Sequence, residues 1–139
     1  MRRFNLIPMM LLAVLMLSSM IKAQSATESI SESAVKNLVS GINSDNEGLY
    51  RSSIYLAGKY RVGEAVDALV TKMETEKDPG IRVLIALSLY EIRDASGLEA
   101  VRKQSLSDSS ENVRNMSALI YSEFVKSSKS GYVSLNSKF

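Results

Sequence analysis

The chain of 139 residues contains no cysteine, no histidine and no tryptophan, and only 2 prolines. Without cysteine there is no disulfide framework and no thiolate chemistry. With neither thiol nor imidazole, a zinc site of the Cys/His kind is excluded as well. A Ser–His–Asp triad is excluded too, because no other side chain plays the imidazole's part. What is present is ordinary globular composition, 45% hydrophobic and 23% charged, which suits one modest domain.

The first 23 residues, MRRFNLIPMMLLAVLMLSSMIKA, are read as an export address. Arg2 and Arg3 give a positive start, an apolar run follows from Leu6, and Ser18, Ser19 and Ala23 give a more polar, small-residue exit. That order is the order of a secretory signal peptide. The stretch from Leu6 to Ile21 is 16 residues. It falls short of the roughly 20 that a membrane-spanning helix needs, which favours a cleaved leader over a retained anchor. Membrane contact is expected only through this segment, where it is retained. The expected address is periplasmic or secreted, and a chain without thiols suits an oxidising compartment.

Charge follows the same division. The chain has 17 basic and 15 acidic residues, a formal +2. The leader holds Arg2, Arg3 and Lys22 and no acid, so the remainder carries a net charge of −1. A broad positive field for nucleic acid is therefore not expected.

The remainder repeats itself. Ala34-Val35, Leu38-Val39 and Ile42 recur 31 residues later as Ala65-Val66, Leu69-Val70 and Met73. A weaker copy follows at an offset of 32 in Leu98 and Val101, with Arg102 and Ser105 at the last two apolar places. The spacing is one stripe of an α-helix. A second unit recurs beside it, ending in Arg51, Arg82 and Arg114, each preceded by an apolar residue (Tyr50, Ile81, Val113). Asp78 followed by Pro79 is a helix start, an N-cap and then proline at the first helical position. The pattern predicts helices near 28–43, 47–60, 63–76, 79–93, 96–106 and 110–127. The tail SSKSGYVSLNSKF, from Ser127, is expected to break the last helix.

Arg82-x-x-Ile-Ala-x-x-Leu-x-x-Ile-Arg-Asp-x-x-Gly-Leu-Glu-Ala-Val101 resembles a HEAT repeat, and more closely the short HEAT-like repeats of phycobilisome lyases. The resemblance runs over residues 34–126. It implies an all-α fold, an α-solenoid of about three stacked antiparallel helix pairs over 24–127, followed by a tail at 128–139. It also implies a curved face that holds other macromolecules. Gly58 departs from the pattern, standing where leucine is usual.

By the resemblance, Arg51, Arg82 and Arg114 form a ladder with an aspartate or carbonyl of the neighbouring repeat, a bridging task that the guanidinium fork suits. Repetition at the repeat period is what a stacking role requires, whereas a row of cations for an anionic ligand does not need it. Asp45, Asp78 and Asp108 are read as caps rather than metal ligands, because acids spread over turns a repeat apart do not converge on one ion. Tyr50, Tyr55, Tyr90 and Tyr121 are expected to be half-buried packing residues, with Tyr60 exposed.

The second helix of each pair lines the concave face in this family. Lys36, Asp67, Lys72, Arg102 and Lys103 are its candidate partner-binding residues, a mixed-sign set suited to a protein. The expected function is therefore a non-catalytic protein–protein interaction module, an adaptor or scaffold with no cofactor and no metal. A small enzyme or ligand-binding protein of lyase-like type is the alternative, either a lyase acting on a chromophore, for which the resemblance brings no catalytic residue, or a hydrolase using paired acids such as Glu74/Glu76 or Glu91/Asp94. A nucleic-acid binder is a weaker one. Solenoid ends need covering, so self-association through open ends, or capping by Tyr132, Val133 and Phe139 of the tail, is also expected.

Overall fold

A computed structural model describes residues 30–136, with side chains to residue 128. The expected leader lies outside them, as do the side chains of the tail. The described chain is all-helical: α1 (Glu32–Ile42), α2 (Glu47–Lys59), a 3-10 turn (Gly63–Ala65), α3 (Val66–Thr75), α4 (Pro79–Ile92), α5 (Ala95–Ser107) and α6 (Glu111–Asn136). No strand occurs among the described residues, and none of their helices is long and apolar enough to cross a membrane.

Most helices begin where the sequence supplies a side-chain oxygen for an orphan N–H of the first turn. Ser31 accepts from the Ala34 N–H at the head of α1, and Asn46 from Leu49 at the head of α2. Asp78 accepts from Gly80 and Ile81 ahead of α4, with Pro79 at the first helical position as expected. Asp94 takes the N–H groups of Ser96 and Gly97 ahead of α5. Asp45 is not the cap expected of it; Asn46, one residue on, does that work. The last helix also differs, running on to Asn136 instead of breaking near 127. The tail contains no proline, and a glycine in mid-helix costs only about 1 kcal/mol relative to alanine, so nothing in it forbids continuation.

Packing sorts the helices into two layers. α1 packs on α2, α3 on α4, α4 on α5 and α5 on α6; α2 also packs on α4 and α4 on α6, while α1 packs on α3 and α3 on α5. The repeated stripes face inward between the layers: Ile42, Ala65, Val66, Leu69, Met73, Leu98 and Val101 are buried. They meet Ile54, Ile81, Ile85, Leu89 and Val113 from the other layer. Each of the Val, Leu, Ile and Met side chains among them contributes roughly 1.5–3 kcal/mol on burial.

Gly58, the departure from the repeat pattern, is explained by a close approach. A Cβ there would stand 2.8 Å from Ser88 Cα and 2.9 Å from its Cβ. Leucine would hold α2 away from α4, and Ser88 Oγ would lose its 2.9 Å hydrogen bond to the Ile54 carbonyl. Two turns need left-handed backbone without glycine: Arg61 has φ 53° after α2, and Arg93 has φ 63° after α4. They stand 32 residues apart, at the same place in successive repeats.

Candidate functional site

The repeated arginines do not share one role. Arg82, only 8% exposed, holds both oxygens of Asp108 with Nε and Nη2, at 2.8 and 2.9 Å. Its Nη1 donates to the Glu76 and Lys77 carbonyls, each at 3.0 Å. One side chain thus ties the turn before α4 to the turn before α6, across the repeat boundary. Burial pushes the Asp108 carboxyl up, but bonds from Arg82 and the Ser110 N–H, with the charges of Arg82 and Arg114, outweigh it and hold the group below its ordinary value. Arg114 donates to the Asp108 and Ser109 carbonyls of its own turn.

Arg51 stays out of this ladder. It pairs with Glu47 of its own helix at 3.2 Å and its side chain is 50% exposed. The acid standing where Asp108 stands one repeat later is Glu76, and it is engaged otherwise. Its Oε1 accepts from the Asp78 N–H at 2.9 Å, and its Oε2 lies 3.7 Å from Lys72 Nζ. Lys72 in turn sits 3.9 Å above the Tyr50 ring. At the first repeat boundary, a lysine from α3 therefore does the joining that Arg82 does at the second. The sequence carried a signal for this in Tyr50 before Arg51, but the repeat alignment directs attention to the arginine instead.

Lys72 was thereby placed on the candidate face by its register, yet it is directed at Tyr50 and is only 20% exposed. The other four candidates are accessible. Lys36 pairs with Glu32 at 2.7 Å, and Asp67 lies exposed in the first turn of α3. Arg102 grips Glu99 through two bonds at 2.9 and 2.7 Å, and this guanidinium holds the Glu99 carboxyl below its ordinary value. Lys103 reaches Glu74 of α3 at 3.9 Å, so α3 and α5 are linked on this side. All five belong to the α1–α3–α5 layer.

A cleft of about 250 Å³ opens between α3 and α5 beside that link. Val70, Met73 and Ala100 give it apolar lining, and Glu74, Lys103, Arg82 and Asp108 line it as well. Gln104 also lines it, a residue the sequence reading passed over. It is 7% exposed, and its Oε1 accepts from Ser117 Oγ at 2.8 Å. Its Nε2 is buried with no partner among the described residues.

The paired acids considered for catalysis are taken up separately. Glu74 faces Lys103, Glu76 faces Lys72, Glu91 lies 3.7 Å from Arg61, and Asp94 caps α5. The Asp94 carboxyl is held below its ordinary value by bonds from the Ser96 hydroxyl and the Gly97 and Ser96 N–H groups. Among the described residues no three carboxylates gather to hold a metal ion.

The opposite layer carries most of the exposed large apolar side chains. Tyr55 on α2 is 55% exposed, not half-buried as expected, and Leu87 on α4 and Leu119 on α6 are 42% and 64% exposed. Leu87 and Leu119 stand at one repeat position, each the fifth residue after the repeated arginine. Tyr60 is exposed as expected, and Tyr50, Tyr90 and Tyr121 are half-buried. Comparison with protein-family models, with curated proteins and with solved structures gives no match.

Proposed function

We propose that the chain is an exported, HEAT-like α-solenoid serving as a non-catalytic adaptor or scaffold that holds another protein on its α1–α3–α5 layer. The observation that carries the reading is the Arg82–Asp108 tie. A buried guanidinium joining successive inter-helix turns supports a stack of like units, in which each pair of helices leans on the next. Lys72 over Tyr50 supports the same continuity at the first boundary. The leader at 1–23, read as a signal peptide, supports a periplasmic or secreted address. The mixed-sign surface of Lys36, Asp67, Arg102 and Lys103 favours a protein over a polyanion. A lyase-like enzyme lacks support because each acid that would serve it already has a cation or an N–H to hold.

A second reading has its own observation. Tyr55, Leu87 and Leu119 favour a partner on the α2–α4–α6 layer, since tyrosine is a common interface anchor and large apolar side chains exposed on one face mark interaction surfaces. Leu106, 70% exposed near the end of α5, offers a third surface, for a second copy on the open end of the stack.

Capture from a native envelope fraction after crosslinking tests the proposal. The bait is the chain, and its control carries reversed charges at Lys36, Asp67, Arg102 and Lys103. One protein retained by the bait and lost by the control supports the adaptor reading. Retention by both removes the α1–α3–α5 face, and retention by neither removes the adaptor.

A further inference from the structure

We infer that the chain binds a second copy of itself head to tail, the α5–α6 end of one molecule against the α1–α2 end of the next, with Arg114 of the first gripping Asp45 of the second. The inference rests on the reading of the fold as a stack of like units and deepens the second-copy surface noted at Leu106; it does not need the adaptor role.

Arg82 shows how a full rung of the ladder is made. Its Nη1 holds two carbonyls of its own turn, while Nε and Nη2 take both oxygens of Asp108 in the next repeat. Arg114 makes only the first half. Its Nη1 donates to the Asp108 and Ser109 carbonyls, six and five residues back as in Arg82, and its Nε and Nη2 meet no acceptor among the described residues. Those two nitrogens are accessible. The side chain is half-buried, and among the described residues Gln104 Nε2 is the one side-chain nitrogen or oxygen that is both buried and unpartnered. The part of the guanidinium fork that binds a carboxylate across a repeat boundary is therefore unused at the last described repeat.

A matching acid stands at the other end. Asp45, Glu76 and Asp108 each lie six residues before a repeated arginine. Glu76 and Asp108 accept from the N–H two residues on. Relative to its arginine, α2 begins one residue earlier than α4 and α6, so Ser44 makes that bond to the Asn46 N–H instead. Asp45 is left exposed, with no partner among the described residues. An acid without a task at one end and an unused bidentate donor at the other are what Asp108 and Arg82 would be if the stack were cut between them.

The apolar residues of the two ends match in the same way. Ala34, Val35 and Leu38 are half-buried, whereas Ala65, Val66 and Leu69 at the same places one repeat on are buried. Tyr121 is half-buried where Leu89 is fully buried. Leu106, 70% exposed, occupies the place of Glu74, which reaches Lys103 of the next helix pair. A second copy supplies the neighbour that each end lacks. Such a contact joins unlike surfaces and leaves one of each kind open, so copies add in a row. A two-fold contact through either end would set like charges together.

The chain and its variants are expressed in and purified from the source cell, so that the leader is as the cell leaves it, and weighed by light scattering over a wide range of concentration. The parent mass is expected to rise past two copies. Asp45→Arg and Leu106→Asp, one change at each end, should keep the parent's helical circular dichroism and weaken association about tenfold or more, as loss of an interfacial charge pair or anchor requires. Mixed in equal amounts, these two variants should form a species of two copies and no larger, the intact α5–α6 end of the first on the intact α1–α2 end of the second. Arg114→Glu combined with Asp45→Arg should regain the association that either change alone removes. The mixture decides even where Arg114→Glu, which gives up the carbonyls of its own turn, fails to fold. A constant parent mass, a rise that stops at two copies, a rise that survives Asp45→Arg, a mixture that stays at one copy, or a folded double variant that stays at one copy overturns the inference. The proposals fail separately. Constant mass beside stability coupling of Arg82 with Asp108 breaks this inference and leaves the stack standing, and growing mass without envelope capture breaks the adaptor reading alone.

Discussion

Gly58→Ala is the substitution for which ordinary helix rules and this structure give opposite answers. Gly58 lies within α2, and there alanine is worth about 1 kcal/mol more than glycine. In an isolated helix the change would stabilise. Here the new methyl would stand 2.8 Å from Ser88 Cα and 2.9 Å from both Cβ and Oγ of Ser88. Two of those atoms cannot swing aside, being backbone or attached to it, so α2 and α4 must separate by several tenths of an ångström. Overpacking of this kind costs about 1–3 kcal/mol. Moving the helices apart also stretches the Ser88–Ile54 hydrogen bond, now 2.9 Å. The overpacking term exceeds the propensity term, and the net expectation is a loss of about 1 kcal/mol, up to about 2. For a domain of this size that lowers Tm by about 4–8 °C per kcal/mol. Gly63→Ala is the internal control, since a Cβ there meets nothing within 4 Å. Thermal and urea melts of both variants give the answer. An unchanged or higher Tm for Gly58→Ala refutes the close approach of α2 and α4.

Four further outcomes follow from the same contacts. Arg82→Met leaves the Asp108 carboxylate largely buried without its partner and should cost about 3 kcal/mol in a urea melt; adding Asp108→Asn should recover part of it, and simple additivity of the two would show that the residues are not coupled. The Asp108 carboxyl is held low in the folded chain, so its contribution is present above the ordinary carboxylate value of about 4 and disappears as pH falls below it. An acid titration of stability should therefore show a descending limb below about pH 4 that flattens in Arg82→Met, and an identical limb in both chains contradicts the tie. Asp78→Ala removes the acceptor for the Gly80 and Ile81 N–H groups and should cost about 1 kcal/mol by melt, whereas Asp45→Ala should leave the melt unchanged. If open ends associate, mass by light scattering rises with concentration and Leu106→Asp abolishes the rise; a constant mass in the parent chain ends that idea.

Much of the fold is legible in the sequence because the repeat is written in apolar residues. Ala65, Val66, Leu69 and Met73 fall on one face at helical spacing and are buried together, and Asp78-Pro79 announces a helix start by its own chemistry. The end of α6 is not legible in this way. Serine, lysine and a single glycine weaken a helix without stopping it, so residue type alone does not mark where it ends. The site is read less completely, since hydrogen-bond partners are set by distances that the repeat alignment does not contain. Arg51 and Arg82 occupy one repeat position, yet only Arg82 meets a free carboxylate, because Lys72 and the Asp78 N–H have taken Glu76. Lys72 looks like any other polar residue of α3 until Tyr50 is placed beneath it. Gln104 sits beside Ser105, where the third stripe loses its apolar character, and only packing reveals that it is Gln104 that turns inward.

The central claim is that a partner protein is held on the α1–α3–α5 layer, and photo-crosslinking in the living source cell addresses it most directly. A photoreactive phenylalanine analogue is introduced singly at Asp67 and Lys103 on that layer, and at Tyr55 and Leu87 on the other. The account predicts one discrete adduct from Asp67 and Lys103, recovered in the envelope or secreted fraction, and none from Tyr55 or Leu87. Adducts from Tyr55 and Leu87 alone would move the interface to the opposite layer and contradict the account.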